Sequence, residues 1–161
     1  MMSRLKRILI ALGLFAGFFV LIQFTNLLSS FDHTNPPITY TIEWDSPRTE
    51  ELVRAACYGC HSNETVWPWY SNIAPVSWLV VRDVDGGRKD LNYSTGHRLN
   101  LDEMVETIRE GEMPVPVYVL MHPEADLTAA EKEELIAGLI ATFDTMSQPD
   151  PNESVTDSDD D

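Results

Sequence analysis

An unbroken apolar run from Ile8 to Ile22 dominates the N-terminal part of the chain, preceded by Arg4, Lys6 and Arg7. After it, Gln23, Thr25 and Asn26 are mixed with Phe24, Leu27 and Leu28. Ile8 to Leu28 is 21 residues, a helix of about 30 Å, which matches the hydrocarbon thickness of a bilayer. Beyond it the pattern changes to helical spacing broken by turn residues. Ser46 as N-cap and Pro47 at the first helical position predict a helix with Leu52, Val53, Ala56 and Cys57 on one side. A second helix is expected from Pro75 to about Lys89, weakened by Gly86-Gly87, with Trp78 in its core side. Asn100 caps a third, with Glu103 three residues on, and it repeats Leu101, Met104, Val105 and Ile108 before stopping at Gly111. Glu112-Met113-Pro114 follows as a loop. The last helix opens with the capping box Thr128 to Glu131 and buries Leu135, Ile136, Leu139, Ile140 and Phe143. Strand-like alternation is confined to Ile38 to Ile42, so the expected fold class is all-α.

This pattern divides the chain into an N-terminal membrane anchor or signal segment (1–30), a linker (31–46) containing Asn35-Pro36-Pro37, one domain (47–145) and an acidic disordered tail (146–161). An uncleaved anchor is preferred to a cleaved signal, because Asn26 to Phe31 offers only a poor small-x-small site. The basic flank stays in the cytoplasm, which places the domain in the periplasm or extracytoplasmic space on a single-pass anchor. Charge then narrows the partners. After residue 30 there are 8 basic and 26 acidic residues, a net of −18. Such a surface repels nucleic acid and could steer towards a basic protein.

Chemistry concentrates at Cys57-Tyr58-Gly59-Cys60-His61. Cys-x-x-Cys-His is the spacing of covalent haem attachment: two thiols reach the two vinyl groups on one porphyrin edge, and the adjacent imidazole reaches iron. The export signal, the lack of any other cysteine and the helical pattern agree with it. A disulfide between Cys57 and Cys60 would close too short a loop to stabilise much. A thiol oxidoreductase wants the pair at a helix start in a strand-helix-strand unit. Zinc held by Cys57, Cys60 and two of His61, His97 and His122 lacks finger-like spacing. One covalent haem c is the cofactor expected, with His61 as proximal iron ligand. Met113, in a stiff loop between Gly111 and Pro114, is the first candidate for the distal position, and His122, next to Pro123, is the second. His97 is expected at the surface. Trp67, Trp69 and Tyr70 could pack on the haem, and one of Arg82, Arg88, Lys89 and Arg98 could pair with a propionate.

With those residues in hand, the sequence resembles the bacterial haem-binding domain family, small membrane-anchored proteins with a Cys-x-x-Cys-His site. The likeness runs from Asn35-Pro36-Pro37 to Leu139. Its most specific part is Ala56 to Thr65, continued by Trp67-Pro68-Trp69-Tyr70-Ser71 and Ile73 to Trp78, with Gly111 to Pro114 and Leu120 to Ala125 further on. Thr95-Gly96-His97 and Pro114-Val115-Pro116 depart from the family pattern, which has an aromatic and a Pro-Pro at these places. The resemblance implies haem without naming a reaction. More loosely, the order of helix, attachment motif, Met-Pro loop and final helix resembles class I cytochromes c, which implies a small cytochrome-c-like helical domain. The expected function is one-electron transfer at the outer face of the cytoplasmic membrane, by a carrier rather than an enzyme, with the redox partner unspecified. The alternative is a haem-based small-ligand sensor or peroxidase-like protein with an open or labile sixth position. A zinc or thiol-redox module is the third.

Overall fold

The computed structural model describes residues 3–28 and 32–146, with backbone only at 26–28 and 145. The expected acidic tail lies outside the described residues except for Met146, as do the junction residues 29–31. Seven α-helices and no strand occur among the described residues: α1 (Arg4–Leu28), α2 (Pro47–Ala56), α3 (Tyr58–His61), α4 (Val76–Asp90), α5 (Leu101–Glu110), α6 (Pro116–Met121) and α7 (Ala129–Met146). The all-α expectation holds. α1 has one window, Arg4–Thr25, long and apolar enough to cross a membrane, and none of that window is buried.

The start signals form as local chemistry dictates. The Ser46 side chain accepts from the Thr49 amide, and Pro47 occupies the first position of α2, where its missing N–H is harmless. Asn100 accepts from the Glu103 amide at the start of α5. Thr128 and Glu131 cap each other's backbone N–H groups at the start of α7. α5 ends at Gly111 with φ 74°, a left-handed conformation that glycine adopts without strain.

The core lies between α2, α5 and α7. Leu52 and Val53, Met104 and Ile108, and Leu135, Ile136, Leu139 and Phe143 pack together with Ile42, Tyr93 and Leu127. Leu135 and Leu139 are fully buried, so truncating either to Ala removes about 2–5 kcal/mol. Close approach of α2 to α7 needs Gly138: a Cβ there would collide with the Thr49 side chain.

Three expectations are corrected. Ile140 is exposed, because α7 presents Leu135, Ile136, Leu139 and Phe143 to the core and Ile140 falls at the edge of that stripe. Trp78 is exposed too: α4 buries Ser77, Val81, Val84 and Gly87, and Trp78 lies about a third of a turn from the centre of that stripe. The predicted first helix does not simply run into the cysteines. α2 stops at Ala56, Cys57 takes a turn with φ −121°, and the rest of the pentapeptide is its own short helix. Ile38 to Ile42, the one alternating stretch, is extended without a partner strand, and the Thr39 and Tyr40 amides both donate to the Ser94 carbonyl.

Candidate functional site

Cys57, Cys60 and His61 sit on one tight turn because the Cys57 carbonyl accepts from both the Cys60 and His61 amides, at 3.2 and 2.9 Å. α4 packs directly against that turn at Gly87, where an added Cβ would stand 2.7 Å from the Cys60 carbonyl oxygen. On the other side Gly59 admits the Tyr118 hydroxyl, 2.6 Å from where its Cβ would be. Both glycines are therefore set by packing around the cysteine turn.

The close approach of α4 orients His61. Its Nδ1 lies 2.9 Å from the Gly87 carbonyl and 3.2 Å from the Leu91 carbonyl. Carbonyls only accept, so Nδ1 carries the hydrogen and the lone pair of the neutral ring is on Nε2. Fixing a ligating imidazole through its other nitrogen is the usual arrangement of a metal-binding histidine.

Two clefts flank the turn. The first, of about 150 Å³, is lined by Cys57, His61, Leu91, Met104, Ile108 and Met113, with Arg98 at its wall. Arg98 has φ 53°, a left-handed conformation that costs a non-glycine residue about 1–3 kcal/mol. Among the described residues it makes no ion pair. The second cleft, of about 100 Å³, is lined by Cys60, Tyr70, Val80, Val84, Tyr118 and His122. The Met-Pro loop runs between the two, giving Met113 to the first and Val115 to the second. The end of α5 aims it there, since the Glu112 and Met113 amides both donate back to the Thr107 carbonyl.

The cysteine thiols lie in low-dielectric surroundings. Burial pushes Cys57 up to about 12, and burial with the nearby Asp83 charge pushes Cys60 up to about 11. Both keep some exposure along the clefts they line, but both are protonated at neutral pH, the opposite of a reactive thiolate pair. Among the described residues no group of three His, Cys, Asp or Glu is arranged to hold a metal ion, and both cysteines are free.

The other expected site residues are scattered. His122 is on the second cleft, and both its ring nitrogens are engaged: Nε2 is 2.7 Å from the Tyr70 hydroxyl and Nδ1 is 2.9 Å from Glu124 Oε1. Because the carboxylate can only accept, Nδ1 donates, and in the neutral ring Nε2 accepts a hydrogen bond from the Tyr70 hydroxyl. Hydrogen bonding to its own amide, then to His122, holds the Glu124 carboxyl below its ordinary value. Tyr70 lines the second cleft, but Trp67 and Trp69 line neither. Trp67 packs against the His33 ring and lies near the Arg88 guanidinium, its buried indole N–H unpartnered among the described residues. Trp69 is 73% exposed. Arg88 is a structural clamp: it donates to the carbonyls of Ser62 and Thr34, to Asn35 Oδ1 and to Thr65 Oγ1, tying the linker to the segment after the cysteines. His97 is exposed as expected, its Nε2 3.0 Å from the Lys89 carbonyl.

Sequence reasoning missed α6, which brings Tyr118 onto Gly59. Pro116 at its first position was the available signal, but β-branched Val117 and Val119 weakened it. It also missed Tyr93, whose ring stacks on Tyr58 at 5.5 Å and whose hydroxyl donates to Met104 Sδ.

Fold and site together define a small helical domain presenting two thiols and an imidazole on one turn beside apolar clefts, preceded by an apolar helix. A family model described as a haem-binding domain matches residues 17–141, and the chain belongs to that family and is a haem-binding protein. Neither the curated proteins nor the solved structures contain a match to it.

Proposed function

We propose that the protein is a c-type haem carrier, with one haem joined to Cys57 and Cys60 and ligated by His61, which transfers single electrons at the outer face of the cytoplasmic membrane on an uncleaved α1 anchor. The observation that carries the reading is the His61 ring: two backbone carbonyls take its Nδ1–H and leave the Nε2 lone pair for iron. The donor chemistry fits the group. Two protonated thiols can each add across a vinyl double bond, sulfur to one carbon and hydrogen to the other, with no oxidant needed. Domain limits of 47–145 go with this reading.

Met113 is the distal ligand in this proposal, and not His122. Met113 shares a cleft with His61, whereas the His122 lone pair is occupied by the Tyr70 hydroxyl. Cys57 and Cys60, which would hold the macrocycle, line different clefts, with Met113 on the first and Val115 on the second. Arg98 lines the first cleft and makes no ion pair among the described residues, which suits it to a propionate. Bound haem supplies an iron that changes oxidation state by one electron, and histidine with methionine raises its potential towards the range of electron carriers.

The test is intact mass and a pyridine haemochrome on protein made with a haem-maturation system. One haem should survive denaturation and solvent extraction, Cys57→Ser and Cys60→Ser should each leave a single link, and the double variant should lose the pigment. Reduced protein should be indifferent to carbon monoxide. Colourless protein with both thiols free overturns the proposal, and rapid carbon monoxide binding reassigns it to small-ligand chemistry.

A further inference from the structure

Gln23, near the outer end of α1, is tied to the loop ahead of α4. Its Nε2 donates to the Ala74 carbonyl at 3.1 Å, and its Oε1 accepts from the Ala74 amide at 3.0 Å. One side chain thus satisfies both backbone groups of a buried residue 51 positions away in sequence. If Arg7 lies at the inner headgroups, the helix rises about 24 Å to Gln23, within about one turn of the far edge of a roughly 30 Å hydrocarbon layer. Ala74 is then held at the level of the outer membrane surface.

The surface around Ala74 has the composition of an interface. Trp69, Ile73, Val76, Trp78 and Leu79 are all exposed large apolar side chains. Val76 and Leu79 also line the second cleft, whereas Trp69, Ile73 and Trp78 line neither cleft, and clustered exposed apolar side chains mark an interaction site. Charge singles out the same face. From Thr65 to Arg82 the chain has no Asp or Glu and one base, Arg82, although the sequence after residue 30 has 26 acids to 8 bases. Carboxylates would be repelled by anionic headgroups, whereas tryptophan settles at the headgroup level of bilayers.

We propose that this face of the domain, led by Trp69 and Leu79, rests in the outer leaflet and is fixed there by the Gln23 clamp on Ala74. The occupant is lipid. The domain therefore keeps a set attitude to the bilayer and does not swing on its linker. Tyr70 and Val76 also line the second cleft, so the cleft that contains Cys60 opens beside the membrane surface. The inference rests on α1 spanning the bilayer as proposed above.

The test uses the full haem-loaded chain in native membranes, with the photo-crosslinking amino acid p-benzoylphenylalanine placed at position 69, at position 79 and, as control, at exposed position 133 on α7. After illumination, lipid adducts at 69 and 79 should exceed those at 133 by about ten-fold or more, while alkaline carbonate leaves the chain in the membrane. Carbonate-resistant chain with equal yields at all three positions overturns lipid docking and leaves the anchor intact. Release by carbonate overturns the spanning helix and the docking with it. Adducts to another protein at 69 in place of lipid assign the face to a protein partner and overturn the proposal.

Discussion

His61 keeps its hydrogen on Nδ1 because both oxygens facing that nitrogen are backbone carbonyls. His122 has the opposite situation, its lone pair filled by a tyrosine hydroxyl and its N–H by a carboxylate. Two histidines of identical chemistry are thus separated into one suited to iron and one engaged in a chain of hydrogen bonds. Met113→Ala should change the haem absorption spectrum and lower the reduction potential by about 0.1 V, a modest part of the ≈ 0.8 V range that axial ligation commands. His122→Ala should leave both nearly unchanged. Spectroelectrochemistry of the two variants checks this, and the reverse outcome would move the distal ligand to His122. The pentapeptide was legible in the sequence because its spacing is a local property. The tautomer of His61 was not, because the carbonyls that set it are 26 and 30 residues distant.

Between helices, the decisive contact is that of α4 with the cysteine turn. At Gly87 a methyl group would stand 2.7 Å from the Cys60 carbonyl oxygen and 2.9 Å from its Cβ, and neither can move without shifting backbone. At Gly86 an added Cβ meets nothing within 4 Å. Gly87→Ala should therefore destabilise the domain by about 1–3 kcal/mol. Gly86→Ala should be neutral or stabilise it by up to about 1 kcal/mol through helix propensity alone. Paired urea or thermal unfolding curves decide the point, and equal effects would show that the approach of α4 to the turn is not this tight. Read from sequence, the Gly-Gly pair only weakened the expectation of a helix. Its use is to admit a neighbour, which no property of α4 alone displays.

For the molecule as a whole, charge sets the long-range field. The net of −18 after residue 30 produces a field that attracts cations and repels anions. A positively charged small redox reagent should thus exchange electrons with the haem about ten-fold or more faster than a negatively charged reagent of similar potential at low salt. The difference should shrink towards nothing near 1 M salt, where screening reaches about 3 Å. Stopped-flow rates against ionic strength measure it, and a salt-independent ratio would mean that the haem edge is shielded from the acidic surface.

Helix caps, the glycine stop of α5, the apolar run of α1 and the cysteine-histidine spacing were determined by the sequence alone. Each depends on residues within about one helical turn, or on composition over a window, so local chemistry suffices. Ser46, Asn100, Gly111 and Thr128 act where the pattern placed them. Only the tertiary structure decided that Cys57 and Cys60 face different clefts, that Trp78 and Ile140 point outward, that Arg88 clamps the linker, and that Gln23 holds Ala74. These depend on how helices far apart in the chain rotate and approach, and a helix pattern leaves open which neighbour its edge residues will meet.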